Sequence, residues 1–236
     1  MVEEPRVVPQ LPLQLRTVSE QGFAQWLGDA AVALRLHTWA TAGSEALYLQ
    51  GAAGSGKTHL AMACCGAAES AGRRAAYLAL GSVHGRVRAA SEGLHAADLV
   101  VLDQLEGIAG TRADEDALFD LHNRLRDAGT PVLYLARSGP AGLPLILPDL
   151  RSRLAQCTLL ALPAPDDALR AAVLRQRAQA RGLVLEEAAI DWLLSRTGRE
   201  LGALVALLDR LDRASLAAQR RVTVPFLRQV LEAGRS

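Results

Sequence analysis

From Ala46 onward the apolar positions fall into short runs: Ala46-Leu47-Tyr48-Leu49, Ala75-Ala76-Tyr77-Leu78, Leu99-Val100-Val101-Leu102, Pro131-Val132-Leu133-Tyr134-Leu135 and Thr158-Leu159-Leu160. Consecutive apolar positions mean that both faces of each predicted strand must be covered. A helix-length segment follows each run, and that alternation predicts an α/β domain with a parallel sheet between helices. The pattern ends near residue 162. Pro163 and Pro165 break the chain, Asp166 or Asp167 can cap a new helix, and the spacing then turns helical. Amphipathic segments follow from about Asp167 to Arg181, Glu186 to Ser195, Glu200 to Gln219 and Pro225 to Glu232, which predicts a small α-helical second domain. Ahead of the sheet, Phe23, Trp26, Leu27, Ala30, Leu34 and Trp39 fall near three-to-four spacing and predict one helix with a single apolar face. Residues 1–18 carry Pro5, Pro9 and Pro12 without helical period and predict an extended arm. The expected organisation is an arm over 1–18, an α/β domain over 19–162 and a helical domain over 163–236.

Composition changes this picture little. Half of the 236 residues are hydrophobic, enough for a real core. No stretch approaches the roughly 18 uncharged apolar residues of a membrane span. Met1-Val2-Glu3-Glu4 lacks the basic and apolar regions of a signal peptide, so a soluble cytoplasmic protein is expected. A net charge of +1 with acids and bases intermixed excludes an autonomous duplex-binding surface, so nucleic acid is not the expected direct partner. Cys64, Cys65 and Cys157 form no C-x-x-C pair and read as small core residues. His37, His59, His84, His95 and His122 are scattered, and none is assigned to a metal.

One segment carries explicit chemistry. Gly51-Ala52-Ala53-Gly54-Ser55-Gly56-Lys57-Thr58 fits G-x-x-x-x-G-K-[ST] and lies between a predicted strand and a predicted helix, as the motif requires. Small residues let successive backbone N–H groups close around phosphates at a helix N-terminus, Lys57 can reach the β- and γ-phosphates, and Thr58 can ligate Mg²⁺. Lys57 is the sole lysine among 26 basic side chains, placed where a compact ammonium is needed. The expected ligand is ADP or ATP with Mg²⁺. Leu99-Val100-Val101-Leu102-Asp103 is the matching buried strand, which delivers a carboxylate to the metal. The next residue, Gln104, cannot act as a base, and Glu106 is expected to point elsewhere, so little turnover of the chain's own is anticipated.

Gly56-Lys57-Thr58-His59-Leu60, Leu147-Pro148-Asp149-Leu150 leading to Ser152-Arg153-Leu154, and Arg199-Glu200-Leu201 together resemble the AAA+ module of the DnaA family of replication initiators. Leu211-Asp212-Arg213-Ala214-Ser215 with Arg221-Val222-Thr223-Val224-Pro225-Phe226 is similar to the Hda-type regulatory inactivators of DnaA within that family. The resemblance covers nearly the whole chain but includes no helix-turn-helix DNA-binding domain. It implies an AAA+ parallel sheet followed by a helical lid, with His59 beside the nucleotide and Arg199 contacting it from the lid. It also implies an arginine finger, Arg153, offered in trans to a neighbour's γ-phosphate. Arg151 is the alternative, because two residues apart on a helix the side chains point to nearly opposite sides. Ser138 is a plausible stand-in for the polar residue that the family carries after the fourth strand.

In an extended arm Leu11, Leu13 and Leu15 share one face beside Gln10. Gln10-Leu11-Pro12-Leu13-Gln14-Leu15 looks like the peptide by which Hda-type proteins dock on the DNA sliding clamp, although the same leucines can also fold back on their own domain. The implied function is a nucleotide-bound regulator that docks on the clamp and stimulates hydrolysis of DnaA-bound ATP. Contact with DNA would run only through the clamp, and homo-oligomerisation stays open. The alternative is a self-hydrolysing AAA+ ATPase such as a helicase loader.

Overall fold

The computed structural model describes residues 22–196, 207–208 and 223–225. The predicted arm, with Gln10, Leu11, Leu13 and Leu15, lies outside the described residues, as do Arg199 and most of the last two predicted helices. All five predicted strands form: β1 Ala46–Gly51, β2 Ala75–Ala79, β3 Leu99–Asp103, β4 Val132–Ala136 and β5 Thr158–Leu162. They pair in parallel in the order β2-β3-β4-β1-β5. The helices are α1 Ala30–Ala42, α2 Lys57–Ser70, α3 Val87–Ala90, α4 Arg112–Asp127, α5 Pro148–Ala155, α6 Asp167–Ala180 and α7 Glu187–Arg196.

Two apolar layers explain the unbroken runs. Leu47, Leu49, Leu99, Val101, Leu133 and Leu135 meet Leu36 and Trp39 of α1 and Leu60 and Cys64 of α2. The intervening residues Tyr48, Val100, Leu102, Val132 and Tyr134 meet Leu118, Leu121 and Leu125 of α4 and Leu150 and Leu154 of α5. Successive strand side chains point to opposite faces, so covering both sides of the sheet demands apolar residues throughout. A third cluster joins Leu174 of α6 to Ile190 and Leu193 of α7 and to Leu207 and Leu208. Among the described residues no helix is long and apolar enough to cross a membrane.

The segment before the sheet departs from expectation. Phe23–Gln25 is a 3-10 turn, and α1 starts only at Ala30, where the Asp29 carboxylate accepts the N–H groups of Ala31 at 2.8 Å and Val32 at 3.2 Å. This N-cap restarts the helical register. The buried face therefore becomes Val32, Leu36, Trp39 and Ala40, while Leu34 is 67% exposed and Leu27 is also exposed. The Trp26 side chain is released to lie against the loop after β1. There its ring closes on Gly56, where an added Cβ would come within 2.5 Å of it.

Candidate nucleotide-binding site

The loop 52–56 links the carboxyl end of β1 to the N-terminus of α2. Its turns use the left-handed region at Gly54, φ 74°, and Gly56, φ 91°. A Cβ on Gly51 would meet Ser55 Oγ at 2.6 Å, and one on Gly56 would meet the Trp26 ring at 2.5 Å. Ser55 Oγ is buried and has no hydrogen-bond partner among the described residues. A helix N-terminus, a left-handed glycine loop and an orphaned buried hydroxyl together fit a phosphate group. Ala52 and Ala53 complete the loop with side chains too small to obstruct it. The Lys57 ammonium turns back to donate to the carbonyls of Gly51 at 2.6 Å and Ala52 at 2.9 Å. Burial pushes its pKa down, the Glu106 and Asp103 carboxylates push it up, and Arg137 adds a smaller downward effect.

Asp103 closes β3 at 1% exposure. Its Oδ2 accepts Thr58 Oγ1 at 2.7 Å and the Tyr77 hydroxyl at 3.1 Å, and its Oδ1 accepts the Gln104 N–H at 2.8 Å. The two residues expected to share Mg²⁺ are therefore in contact, and a hydroxyl beside a carboxylate is the hard oxygen pair that ion prefers.

Among the described residues Gln104 is the one non-glycine with positive φ, 64°. Left-handed backbone at such a residue costs roughly 1–2 kcal/mol. Its consequence is a sharp turn into the 3-10 segment Leu105–Gly107. That turn corrects the expectation for Glu106, whose carboxylate comes back to the phosphate end. Glu106 Oε1 lies 3.0 Å from Arg137 Nε, and Oε2 accepts the Arg137 N–H at 3.3 Å. The Ser138 carbonyl accepts the Tyr48 hydroxyl at 2.8 Å, and Arg137 is the side chain after β4 that pairs with Glu106.

His59, in the first turn of α2, joins three segments of the chain. Its Nε2 lies 3.1 Å from the Gly22 carbonyl and its Nδ1 lies 3.0 Å from Arg177 Nη2 on α6. Arginine can only donate, so Nδ1 accepts and Nε2 carries the proton. Burial, and then the Arg177 charge, hold His59 at about 4. The Trp26 ring stands 5.7 Å from the imidazole.

The two candidate finger arginines sit on α5. The start of α5 is fixed by Glu115, fully buried on α4, which accepts the N–H groups of Gly110 at 2.8 Å, Ile146 at 3.1 Å and Leu147 at 2.7 Å. Arg151 is committed to the carbonyl of Leu145. The guanidinium of half-buried Arg153 makes no hydrogen bond or ion pair among the described residues. Neither arginine hydrogen-bonds to Lys57, Thr58 or Asp103.

Arg137, Tyr77 and Arg177 escaped sequence reasoning, and the sequence did not place Glu106 beside Arg137. The available signal was the polar pair Asp103-Gln104, which interrupts the apolar run and marks a turn after Asp103.

A five-stranded parallel sheet with a phosphate loop after β1 and a buried carboxylate closing β3 defines a P-loop protein of the AAA+ class. Residues 167–231 match the family described as "Hda, lid domain". Over those residues the chain is similar to the lid of Hda-type proteins. It superposes on domain III of the replication initiation protein DnaA from Thermotoga maritima with a TM-score of 0.76 at 17% identity, over 96% of this chain and 98% of that one. It also matches AMPPCP-bound DnaA from Aquifex aeolicus, with a TM-score of 0.63 at 20% identity over 80% and 65% of the two chains. The Holliday junction branch migration motor RuvB of Thermotoga maritima matches with a TM-score of 0.64 at 17% identity over 92% and 72%. At these identities the structural likenesses establish the fold.

Proposed function

We propose that this protein is a nucleotide-loaded regulator of DNA replication initiation that docks on the sliding clamp and stimulates hydrolysis of ATP bound to DnaA, switching the initiator off. The observation that carries the reading is the match of the lid to the Hda family, joined to an AAA+ core with a phosphate loop. ADP or ATP would sit with its phosphates in the loop 51–58. Lys57 would leave its two carbonyls for them, and Thr58 with Asp103 would hold Mg²⁺, which neutralises phosphate charge. Arg199 would add a lid contact. Arg153 is the preferred finger, because its guanidinium is unengaged on α5 whereas that of Arg151 is tied to Leu145. A finger supplied in trans is worth about 10³ to 10⁵ in rate, enough to turn a slow ATPase into a timed switch. Gln10, Leu11, Leu13 and Leu15 would supply the clamp contact, and DNA would be met only through the clamp.

The test is hydrolysis of DnaA-bound ATP with and without this protein, the clamp and DNA. Arg153→Ala should keep its fold and its nucleotide affinity yet lose the stimulation, because a finger acts on the partner's transition state. Full stimulation by Arg153→Ala together with loss in Arg151→Ala would move the finger to Arg151. The second reading, a self-hydrolysing ATPase such as a helicase loader, draws on Glu106, a carboxylate brought back toward the phosphate loop. Appreciable ATP turnover by the purified protein alone would favour it.

A further inference from the structure

One oxygen gathers three elements. Asp103 Oδ2, at the carboxyl end of β3, accepts Thr58 Oγ1 from the first turn of α2 at 2.7 Å and the Tyr77 hydroxyl from β2 at 3.1 Å. In the parallel register Tyr77 stands opposite Val101 and Ala79 opposite Asp103. Alternate residues of a strand share a face, so Tyr77 lies on the face of Asp103, and the small Ala79 leaves the way open for a long ring to reach it. The Tyr77 ring is half-buried against the layer formed with α1 and α2. Asp103 is 1% exposed, so a partner lost there is not replaced by bulk water.

A carboxylate offers about four acceptor positions, roughly two on each oxygen. Thr58 and Tyr77 fill those on Oδ2, and the Gln104 N–H takes one on Oδ1. These bonds are not equivalent. Gln104 is the next residue of the chain and holds the other oxygen, while Thr58 is the group that Asp103 itself has to hold. For Thr58 Oγ1 to offer lone pairs to a cation, its proton must point away, onto Oδ2. Tyr77 is the anchor that comes from outside this pair, and from a neighbouring strand it keeps the carboxylate from turning about its Cβ–Cγ bond.

We propose that Tyr77 is a positioning residue for the metal half of the site: its hydroxyl fixes the Asp103 carboxylate in the rotation that keeps the Thr58 proton on Oδ2 and the Thr58 oxygen open to Mg²⁺. The proposal rests on the reading of residues 51–58 with Asp103 as a site for nucleotide and Mg²⁺.

Fluorescently labelled ADP, titrated into the full chain in EDTA and at a series of Mg²⁺ concentrations, tests this. Removing a group that orients metal ligands typically costs about tenfold or more in metal affinity, so Tyr77→Phe should raise the Mg²⁺ concentration that gives half of the metal's effect by about tenfold. Affinity in EDTA should stay unchanged, because the hydroxyl acts on the metal's ligands and not on the phosphates. Thr58→Ala removes the ligand through which Tyr77 acts, so adding Tyr77→Phe to it should cost little more. The parent gives an independent readout when 3-fluorotyrosine replaces its 3 tyrosines. The Tyr77 resonance should move when Mg²⁺ joins bound ADP, and those of Tyr48 and Tyr134, which pack in the opposite layer, should move less. A Tyr77 resonance blind to Mg²⁺, an equal shift of affinity in EDTA and in Mg²⁺, or a Tyr77→Phe chain that melts well below the parent with its Mg²⁺ response intact would overturn the proposal and leave the nucleotide site standing. If Mg²⁺ does not alter the parent's affinity for ADP, the metal reading falls and Tyr77 falls with it. If the parent binds no ADP in either condition, the reading of the site itself fails.

Discussion

His59 is the residue at which acidity should first be felt. Its imidazole is held at about 4 by burial and by Arg177, below the ordinary value near 6.5. Between those two pH values the unfolded chain binds more protons than the folded one, so stability present above about 6.5 should drain away as the pH falls toward about 4. The melting temperature should fall across that window, and His59→Gln should flatten the fall. An unchanged slope in the variant would assign the titration elsewhere, His122 being another imidazole depressed by burial. At this scale the sequence was legible where chemistry depends on local spacing: the loop 51–58 is contiguous, and Asp103 closes an apolar run. Glu106, Arg137 and Tyr77 were illegible because their meeting depends on the left-handed turn at Gln104 and on which strands lie next to β3. No spacing rule carries that information.

At the scale of elements, α4 controls α5. Glu115 is a fully buried carboxylate whose three acceptor bonds hold the turn at Gly110 and the N-terminal end of the helix that carries Arg153. Each buried N–H left without a partner costs about 1–3 kcal/mol. Glu115→Ala should therefore destabilise the protein by about 3 kcal/mol or more, and Glu115→Gln by less, read from urea unfolding. If Arg153 is the finger, stimulation of a partner should decline in the glutamine variant before nucleotide affinity does, because no Glu115 bond touches the phosphate loop. The same scale shows where periodicity misleads. Phe23, Trp26 and Leu34 fit one helical face on paper, but Asp29 caps α1 and resets the register, so Leu34 points to solvent and Trp26 leaves the helix. A capping carboxylate outweighs a three-to-four pattern that has to cross Gly28.

For the whole molecule, the existence of all five strands was legible because each is built on a run of apolar residues, fully buried in β3 and β4, but their order was not. Moving β1 between β4 and β5 changes no residue's apolar character. The order nevertheless positions the candidate site, since it brings the carboxyl ends of β1, β3 and β4 side by side. If Gln10, Leu11 and Leu13 form a docking peptide, replacing all three with alanine should abolish clamp binding and leave the melting temperature and nucleotide affinity nearly unchanged. A marked drop in melting temperature with clamp binding retained would show that the leucines serve the chain's own core.

The contact of Trp26 with Gly56 also makes the protein its own fluorimeter. Trp39 is sealed in the core and Trp192 belongs to the lid cluster, whereas the Trp26 indole rests on the last glycine of the phosphate loop and tilts over His59. A chain in which Trp39 and Trp192 are replaced by phenylalanine should change its emission on addition of ADP. Trp26→Phe should abolish most of the change seen in the parent. Loop occupancy would then be visible as colour and intensity, without any label on the ligand.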